Sequence, residues 1–182
     1  MQPENPRVEI RPSALGRSVY ARQPFREGEV VASGWGPRSP RRTRHTFQVG
    51  LDHHVLIENE VEIINHSCDP NCGVLLPLGA TCLQVVARGP IAPGEELTID
   101  YAMFEYAIEF MPDDCLCGSP LCRRRVTGYR DLPAARRREY GRFIAGYLPL
   151  LEAGLLEAAI GDEDLQIPIA RVVGDRVPAQ LG

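Results

Sequence analysis

The sequence predicts a mainly β protein made of small sheets, with one helix towards its C-terminal end. Runs of alternating apolar residues in the first hundred positions are short, and they are interrupted by many of the 17 Gly and 16 Pro residues. Only residues 133–151 carry a sustained helical period. A chain of 182 residues is long enough to bury one hydrophobic core, so we expect a single main domain.

Seven segments have the alternation and the flanking turn residues of short strands. They are residues 8–10, 18–21, 29–32, 45–49, 54–57, 81–87 and 96–99. Segments 45–49 and 54–57 flank Gly50-Leu51-Asp52, so we expect them to form a hairpin. Residues 36–44 are basic, contain two prolines and show no hydrophobic period, which predicts a loop.

The predicted helix begins near Pro133, with Asp131 as a capping residue. Six apolar residues then recur on one helical face, at Tyr140, Phe143, Ile144, Tyr147, Leu148 and Leu151. Beyond Gly161 the chain is polar and aperiodic, and we expect a tail with a short strand at residues 167–173.

Composition excludes several classes of protein. A net charge of −4 and a hydrophobic content of 44% are typical of a globular chain, and they argue against a broad nucleic-acid interface despite several arginine clusters. Residues 1–11 are polar and no segment has the length of a membrane span, so we expect a cytoplasmic protein with reduced thiols. All 20 basic residues are arginine, which excludes a lysine Schiff base.

Three sequence blocks carry the functional information. The first is Asn65-His66-Ser67-Cys68-Asp69-Pro70-Asn71-Cys72, the second is Gly94-Glu95-Glu96-Leu97-Thr98-Ile99-Asp100-Tyr101, and the third is Cys115-x-Cys117-x4-Cys122. In this order and spacing the chain resembles the SET-domain protein lysine methyltransferases, over roughly residues 8–130. These enzymes transfer a methyl group from S-adenosylmethionine to a lysine amine.

The resemblance implies a β-clip fold in which the segment with the Asn-His-Ser-Cys block threads a loop closed by another segment. It also divides the chain into a polar segment (1–7), a SET domain (8–110), a post-SET zinc segment (111–130), a helical region (131–160) and a tail (161–182). The lack of lysine then has two open explanations, arginine-rich codon usage and avoidance of self-methylation.

Tyr101 matches the tyrosine whose hydroxyl points at the transferring methyl group in this family, and we predict it as the catalytic residue. Asn65 and His66 match the pair that holds the adenosine part of the cofactor. The early turn Gly16-Arg17-Ser18-Val19-Tyr20 resembles a cofactor-binding turn that usually has glycine where this chain has Ser18. Gly16, Arg17, Ser18, Tyr20, Asn65, His66, Tyr101 and Leu116 are therefore the predicted cofactor-binding residues.

A lysine channel needs aromatic walls, because aromatic faces attract ammonium groups. Phe47, Phe104 and Tyr106 are candidates, with ordinary core packing as the alternative for each. Ile99, two residues before Tyr101, occupies a position that tunes product multiplicity in the family. Since isoleucine has no hydroxyl and is shorter than an aromatic ring, we predict room for di- or trimethylation, unless Ile99 is simply a buried strand residue.

Cys115, Cys117 and Cys122 have the spacing of a zinc half-site. The resemblance implies Cys68 as the fourth ligand of one structural zinc ion, with Cys72 as a competing ligand and four unmetallated thiols as the alternative. Cys82 alternates within a predicted strand, which predicts a core position. The three histidines in or beside loops, His45, His53 and His54, are predicted to lie at the surface.

The substrate is not specified by these motifs. Residues 55–64 are short where many relatives carry an inserted helical subdomain that forms one wall of a peptide groove. A lysine-bearing protein or peptide is the leading prediction, and a free amino acid or other small amine is the alternative. A non-catalytic SET-like scaffold that binds zinc and a partner is the third hypothesis. Oligomeric state stays open, with a dimer among the alternatives.

Overall fold

The described part of the chain consists of short strands arranged in five small sheets, with only short helices. The structure is a computed structural model, and it describes residues 5–111, 114–158 and 170–172. Within those residues, no helix combines the length and the apolar character needed to cross a membrane. The mainly β architecture predicted from the sequence is confirmed.

The strands follow one another along the chain with few residues in each. Their bounds are β1 (Val8–Ser13), β2 (Gly16–Ala21), β3 (Val30–Gly34), β4 (Arg38–Ser39), β5 (Thr46–Gln48), β6 (His54–Leu56), β7 (Asn65–His66), β8 (Cys72–Leu75), β9 (Leu83–Ala87), β10 (Thr98–Ile99), β11 (Leu156–Ala158) and β12 (Ala170–Val172). Three 3-10 helices lie at Glu60–Ile63, Tyr101–Met103 and Tyr129–Asp131.

The antiparallel sheet β3-β9-β8 lies at the centre of the hydrophobic core. Leu83, Val85 and Val86 of β9 are fully buried, as is Val74 of β8. The alternation that predicted a strand at residues 81–87 continues into β9, where Gln84 is exposed between the buried Leu83 and Val85. Burial of these side chains is the main stabilising contribution of the sheet.

The other sheets surround this centre. Strands β1 and β2 form an antiparallel hairpin, and β5 and β6 form the hairpin predicted around Gly50-Leu51-Asp52. The basic segment 36–44, predicted to be a loop, contributes the two-residue strand β4 to the other edge of β6. Strands β7 and β10 are parallel, and this pairing brings two distant blocks of the sequence side by side.

The single helix predicted at residues 133–151 is wrong in two respects. Two short helices replace it, and Asp131 ends a preceding 3-10 helix and does not cap the first of them. Helix α1 spans Ala134–Tyr140 and α2 spans Tyr147–Glu152. Gly141 ends α1 with a φ of 51°, a left-handed conformation that glycine adopts without a Cβ clash. The apolar face remains buried across the break, since Tyr140, Tyr147 and Leu148 are almost inaccessible to solvent.

The turn between the two helices packs directly on the central sheet. The Val74 N–H donates a hydrogen bond to the Phe143 carbonyl at 3.2 Å. A Cβ at Gly73 would lie 2.4 Å from the Phe143 Cβ, so only glycine permits this approach. The strand predicted within residues 167–173 corresponds to β12, which pairs with β11, and the rest of the tail lies outside the described residues.

Two predictions of burial are wrong. Cys82 is exposed rather than in the core, because β9 begins one residue later, at Leu83. His54 is buried rather than at the surface, because it lies in β6, the central strand of β4-β6-β5. His53 is half-buried, and His45 is exposed as predicted.

Candidate active site and metal centre

Strands β7 and β10 place the Asn65-His66 pair beside the block that ends in Tyr101. Their parallel register aligns Thr98 with Asn65 and Ile99 with His66. The ladder continues with a hydrogen bond of 2.9 Å from the Ser67 N–H to the Ile99 carbonyl. Both strands are only two residues long, so the site depends on side-chain hydrogen bonds as well as on the sheet.

The Asn65 amide joins three separate segments. Its Nδ2 atom lies 2.7 Å from the Ser18 Oγ, 3.0 Å from a Glu96 carboxylate oxygen and 3.2 Å from the Arg17 carbonyl. Ser18 is fully buried, so its hydroxyl serves as a structural acceptor for Asn65. This contact gives a physical reason for serine where the family usually has glycine.

His66 is neutral at physiological pH. Burial lowers its pKa to about 4, even though the nearby Asp100 carboxylate opposes the shift. Its Nδ1 atom accepts the Tyr101 N–H at 3.4 Å, which assigns the ring proton to Nε2. That Nε2 atom faces the Cys68 sulfur at 3.4 Å. His66 therefore connects the Tyr101 backbone to Cys68, a member of the first block that joins the cysteines of the third block in one cluster.

Tyr101 begins a 3-10 helix that Asp100 caps by accepting the Ala102 N–H at 3.1 Å. Burial raises the pKa of the Tyr101 phenol to about 12, so the hydroxyl keeps its proton. That hydroxyl donates to the Ile64 carbonyl at 3.2 Å. The Tyr101 ring contacts His66 edge-on, with ring centroids 5.2 Å apart. The oxygen retains lone pairs that can face a ligand.

Two cavities meet at Tyr101. The larger, which we call the cleft, has a volume of about 480 Å³ and is bounded by Asn65, His66, Leu116 and Cys117. The smaller, which we call the tunnel, has a volume of about 110 Å³ and is bounded by Phe47, Phe104 and Glu105. Six residues line both: Arg44, His45, Glu62, Tyr101, Phe110 and Met111. The catalytic residue predicted from sequence therefore lies where the two spaces adjoin.

The tunnel has an aromatic wall. Phe47 and Phe104 stack with ring centroids 4.8 Å apart and an interplanar angle of 16°. Of the predicted channel residues, Phe47, Phe104 and Tyr101 line the tunnel. Ile99 is fully buried and lines neither cavity, whereas Tyr106 points its hydroxyl at Glu152, 3.0 Å away.

Sequence reasoning missed a buried carboxylate on the tunnel wall. Burial raises the pKa of Glu105 to about 7, although the Gln48 N–H and the Arg42 guanidinium stabilise its charged form. Those two donors lie 2.9 Å and 2.8 Å from the carboxylate. Arg42 also binds Glu109 at 2.6 Å, so one guanidinium serves two carboxylates. No local motif marks a residue of this kind.

The predicted cofactor-binding residues fall into two groups. Arg17, Asn65, His66, Tyr101 and Leu116 line the cleft. Gly16, Ser18 and Tyr20 lie on β2 but do not line it, and Ser18 reaches the site only through Asn65. The early turn thus supports the cleft more than it forms its surface.

Cys68, Cys115, Cys117 and Cys122 converge as predicted. Their four sulfur atoms lie within 4.8 Å of one another, and those of Cys68 and Cys115 are 3.8 Å apart. Tetrahedral zinc with Zn–S bonds of about 2.3 Å requires sulfur separations of about 3.8 Å, so the donor set fits one zinc ion. The competing ligand Cys72 is excluded, because it is buried in β8 outside this cluster.

Backbone N–H groups donate to two sulfur atoms of this cluster, in which burial raises the pKa of Cys68 and of Cys115. The Arg123 N–H donates to the Cys68 sulfur and the Arg124 N–H donates to the Cys122 sulfur, each at 3.4 Å. Burial raises the pKa of a thiol, but hydrogen bonds from backbone N–H groups and neighbouring thiols lower that of Cys117 to about 7. Thiolates are the form that binds metal.

Asp100 connects the metal site, the helices and the Tyr101 turn, and sequence analysis did not identify this role. Its carboxylate is fully buried and receives two hydrogen bonds from Arg123, at 2.6 Å and 2.9 Å. The Tyr140 hydroxyl of α1 donates a third, at 2.7 Å. Arg123 directly follows Cys122, and this adjacency was visible in the sequence, but its pairing with Asp100 was not.

Tyr101, whose hydroxyl keeps its proton, borders both the cleft and the aromatic tunnel, and Cys115 and Cys117 of the four-thiol site also line the cleft. Such an arrangement can orient two reactants end to end without an acid–base pair at the point of reaction. Residues 16–102 match the family described as SET domain. A segment with three cysteines follows the match, and we call residues 114–126 the cysteine segment.

Relatives share part of this sequence. The histone-lysine N-methyltransferase set-2 of Caenorhabditis elegans is 40% identical over 85 residues, which is 43% of this chain and 5% of set-2. The histone-lysine N-methyltransferase trithorax of Drosophila virilis is 31% identical over 128 residues, which is 60% of this chain and 3% of trithorax. The chain therefore spans only a small fraction of the length of these relatives.

Solved structures agree with the fold. KRYPTONITE in complex with mCHH DNA, an H3(1-15) peptide and SAH superposes with a TM-score of 0.55 and 26% identity, over 65% of this chain and 29% of that chain. A second KRYPTONITE complex, with mCHG DNA and SAH, gives a TM-score of 0.54 and 25% identity over 65% of this chain and 28% of that chain.

Proposed function

We propose that this protein transfers a methyl group from S-adenosylmethionine to the ε-amine of a lysine in a protein or peptide. One observation carries the proposal: Tyr101 lines both the cleft and the aromatic tunnel. A reaction in which donor and acceptor approach from opposite sides requires this arrangement. The relatives named as histone-lysine methyltransferases and the neighbour bound to SAH support it.

The cleft has the features needed by the donor. When bound, S-adenosylmethionine supplies a methyl group activated by its sulfonium centre. Asn65 and His66 line the cleft from β7, and Leu116 lines it from the cysteine segment. The Tyr101 oxygen accepts weak C–H···O contacts from the methyl group and so fixes its direction. Since the Tyr101 phenol stays protonated, it acts here without taking a proton.

The tunnel has the features needed by the acceptor. The lysine amine must be neutral to attack, whereas its pKa in water is about 10.4. An apolar tunnel lowers that pKa, because desolvation disfavours the ammonium form. Phe47 and Phe104 supply faces that attract the amine before and after methylation. The di- or trimethylation predicted from Ile99 stays a prediction, and this buried side chain lines neither cavity.

A groove beside the tunnel supports a protein substrate over a small amine. It has a volume of about 640 Å³, and it shares His45 and Glu62 with the tunnel. Glu58, Glu60 and Glu62 line it, whereas Arg17 is its one guanidinium among the described residues. An extended segment with basic side chains complements this surface in shape and charge. A free amino acid would leave the groove unused.

The four-thiol site fits a structural role. Zinc bound there would fix the cysteine segment against β7, and this segment supplies Leu116 and Cys117 to the cleft. Its binding would therefore be coupled to the order of the cleft. The cytoplasmic location predicted from the sequence stays a prediction.

The test is a methylation assay with labelled S-adenosylmethionine on lysine peptide arrays and, in parallel, on free lysine. The chain contains no lysine, so self-methylation at lysine contributes no background. We expect peptide products, and Tyr101→Phe should reduce kcat by about 100-fold, within the range for a lost transition-state contact. Tyr106→Phe is the matched control, because its hydroxyl lies outside both cavities.

Each hypothesis about the function predicts a different experimental result. Wild-type rates in Tyr101→Phe would remove this hydroxyl from the mechanism. Methylation of free lysine alone would favour the small-amine alternative. Failure of the wild-type protein to bind S-adenosylmethionine in calorimetry would leave the non-catalytic scaffold.

A further inference from the structure

We propose that the Arg123–Asp100 ion pair transmits metal binding at the four cysteines to the Tyr101 turn, and thereby sets the affinity of the cleft for its cofactor. Arg123 would be a positioning residue, since it lines neither cavity and contacts no reactant. The inference rests on the proposed function and adds a specific route between two of its parts.

The first link runs from the metal site to Arg123. Its backbone N–H donates to the Cys68 sulfur at 3.4 Å, and it directly follows Cys122 in sequence. Two of the four metal ligands therefore fix the position of the Arg123 backbone. Movement of these sulfur atoms on metal binding would therefore displace the Arg123 backbone, from which the side chain extends.

The second link runs from Arg123 to Asp100. Its two terminal nitrogens bind the two carboxylate oxygens at 2.6 Å and 2.9 Å, which is the bidentate geometry of an arginine–carboxylate pair. Asp100 is fully buried, so solvent does not screen this pair. Two parallel hydrogen bonds fix orientation as well as distance, which makes the pair a stiff connection.

The third link runs from Asp100 to the active site. The carboxylate caps the 3-10 helix that begins at Tyr101, by accepting the Ala102 N–H at 3.1 Å. A parallel path connects the Cys68 sulfur to His66 at 3.4 Å, and His66 to the Tyr101 N–H at 3.4 Å. Both paths start at the metal ligands and end on the same backbone turn.

This arrangement explains why a buried charge pair is placed here. A buried ion pair contributes little net stability, because desolvation offsets most of its attraction. Its value at this position is geometric, since it connects segments that are 23 residues apart. The cysteine segment contributes no buried apolar side chain among described residues 114–126 that could make the same connection.

The experiment measures thermodynamic coupling. The Kd of S-adenosylhomocysteine is determined by calorimetry for zinc-loaded and chelator-treated protein, in the wild type and in Arg123→Lys. Lysine keeps the positive charge but cannot form the two parallel hydrogen bonds. We expect zinc to tighten binding by about tenfold or more in the wild type, within the usual range of coupling factors, and by less than about threefold in the variant.

Matched control variants distinguish a specific loss of coupling between zinc and cofactor binding from general damage to the fold. Arg124→Lys makes the same substitution one residue later, at an exposed side chain, and should keep the wild-type coupling. Tyr140→Phe removes one hydrogen bond from Asp100 but leaves the ion pair, and it should also keep the coupling. If Arg123→Lys does not fold, Asp100→Asn serves instead, because asparagine retains the shape and the capping oxygen.

A spectroscopic measurement shows whether Arg123 is needed only to build the metal site. The absorption of the cobalt-loaded protein reports the geometry of the four-thiol site, and it should be the same in Arg123→Lys and the wild type. An altered spectrum or weakened metal binding would assign Arg123 to construction of the metal site and overturn the inference. Unchanged coupling in Arg123→Lys would overturn it as well. A wild-type protein that binds no S-adenosylhomocysteine would instead remove the proposed function.

Discussion

The central sheet and the cysteine segment are held together by different physical forces. In β9 the side chains of Leu83, Val85 and Val86 are fully buried. In residues 114–126 the two leucines, Leu116 and Leu121, are 69% and 53% exposed. The sheet is therefore stabilised by apolar burial, whereas the segment that completes the cleft depends on four sulfur atoms and one arginine. The cleft is thus completed by a segment that buries little apolar surface.

Loss of the metal should produce the largest difference between the two regions. Cys117→Ser removes one of four ligands, and substitution even of groups behind a metal ligand typically costs 10- to 100-fold in affinity or activity. We expect zinc content to fall and methylation to decrease by about 100-fold. Amide exchange should accelerate in residues 114–126 and stay slow in β8 and β9. Full activity without bound metal would refute the structural role of zinc.

A substitution in the central sheet should lower the free energy of unfolding more than a substitution in the cysteine segment. Leu83→Ala creates a cavity in β9 and should lower the free energy of unfolding by about 2 to 5 kcal/mol. Leu121→Ala, at an exposed position in the cysteine segment, should change it by less than about 0.5 kcal/mol. Urea denaturation measures both. Equal losses for the two variants would contradict the contrast between the regions.

The tunnel wall should give the protein a pH-dependent stability. Because the folded pKa of Glu105 is raised from 4.5 to about 7, the native state holds its proton over a range where the unfolded chain releases it. Stability from this group is present below pH 4.5 and is lost as the pH rises to about 7, by about 2 to 3 kcal/mol. Thermal denaturation across this range measures the loss, and Glu105→Gln should flatten it. An identical pH profile in Glu105→Gln would assign the dependence to other groups.

The smallest expected effect concerns the hydrogen bond that connects α1 to Asp100. Tyr140→Phe removes the 2.7 Å hydrogen bond to Asp100 and should cost about 1.5 kcal/mol, the lower end of the range for bonds to charged groups. The ion pair with Arg123 remains, so zinc binding should be unchanged in metal titration. A loss of zinc affinity in this variant would show that α1, too, supports the metal site.

The features that could be predicted from sequence are local ones. Alternation located β9 and the β5–β6 hairpin, and the short cysteine spacing located three ligands of the metal site. Periodicity also recognised the buried face of residues 133–151, but it could not detect that Gly141 breaks the helix, because the apolar pattern continues across the turn.

The missed features depend on contacts between distant segments. Asp100 lies inside a recognised block, yet its partners Arg123 and Tyr140 come from two other elements. Glu105 resembles any surface glutamate until the fold buries it beside Arg42. Neither residue type nor spacing encodes such pairings, since they follow from how the elements pack.

The shared boundary of the cleft and the tunnel has a consequence for inhibitor design. Since Tyr101 and five further residues border both spaces, a single molecule could reach from one to the other without crossing solvent. Joining a nucleoside fragment to an alkylamine fragment makes the second binding event intramolecular, and this can increase affinity by about 10²- to 10⁴-fold.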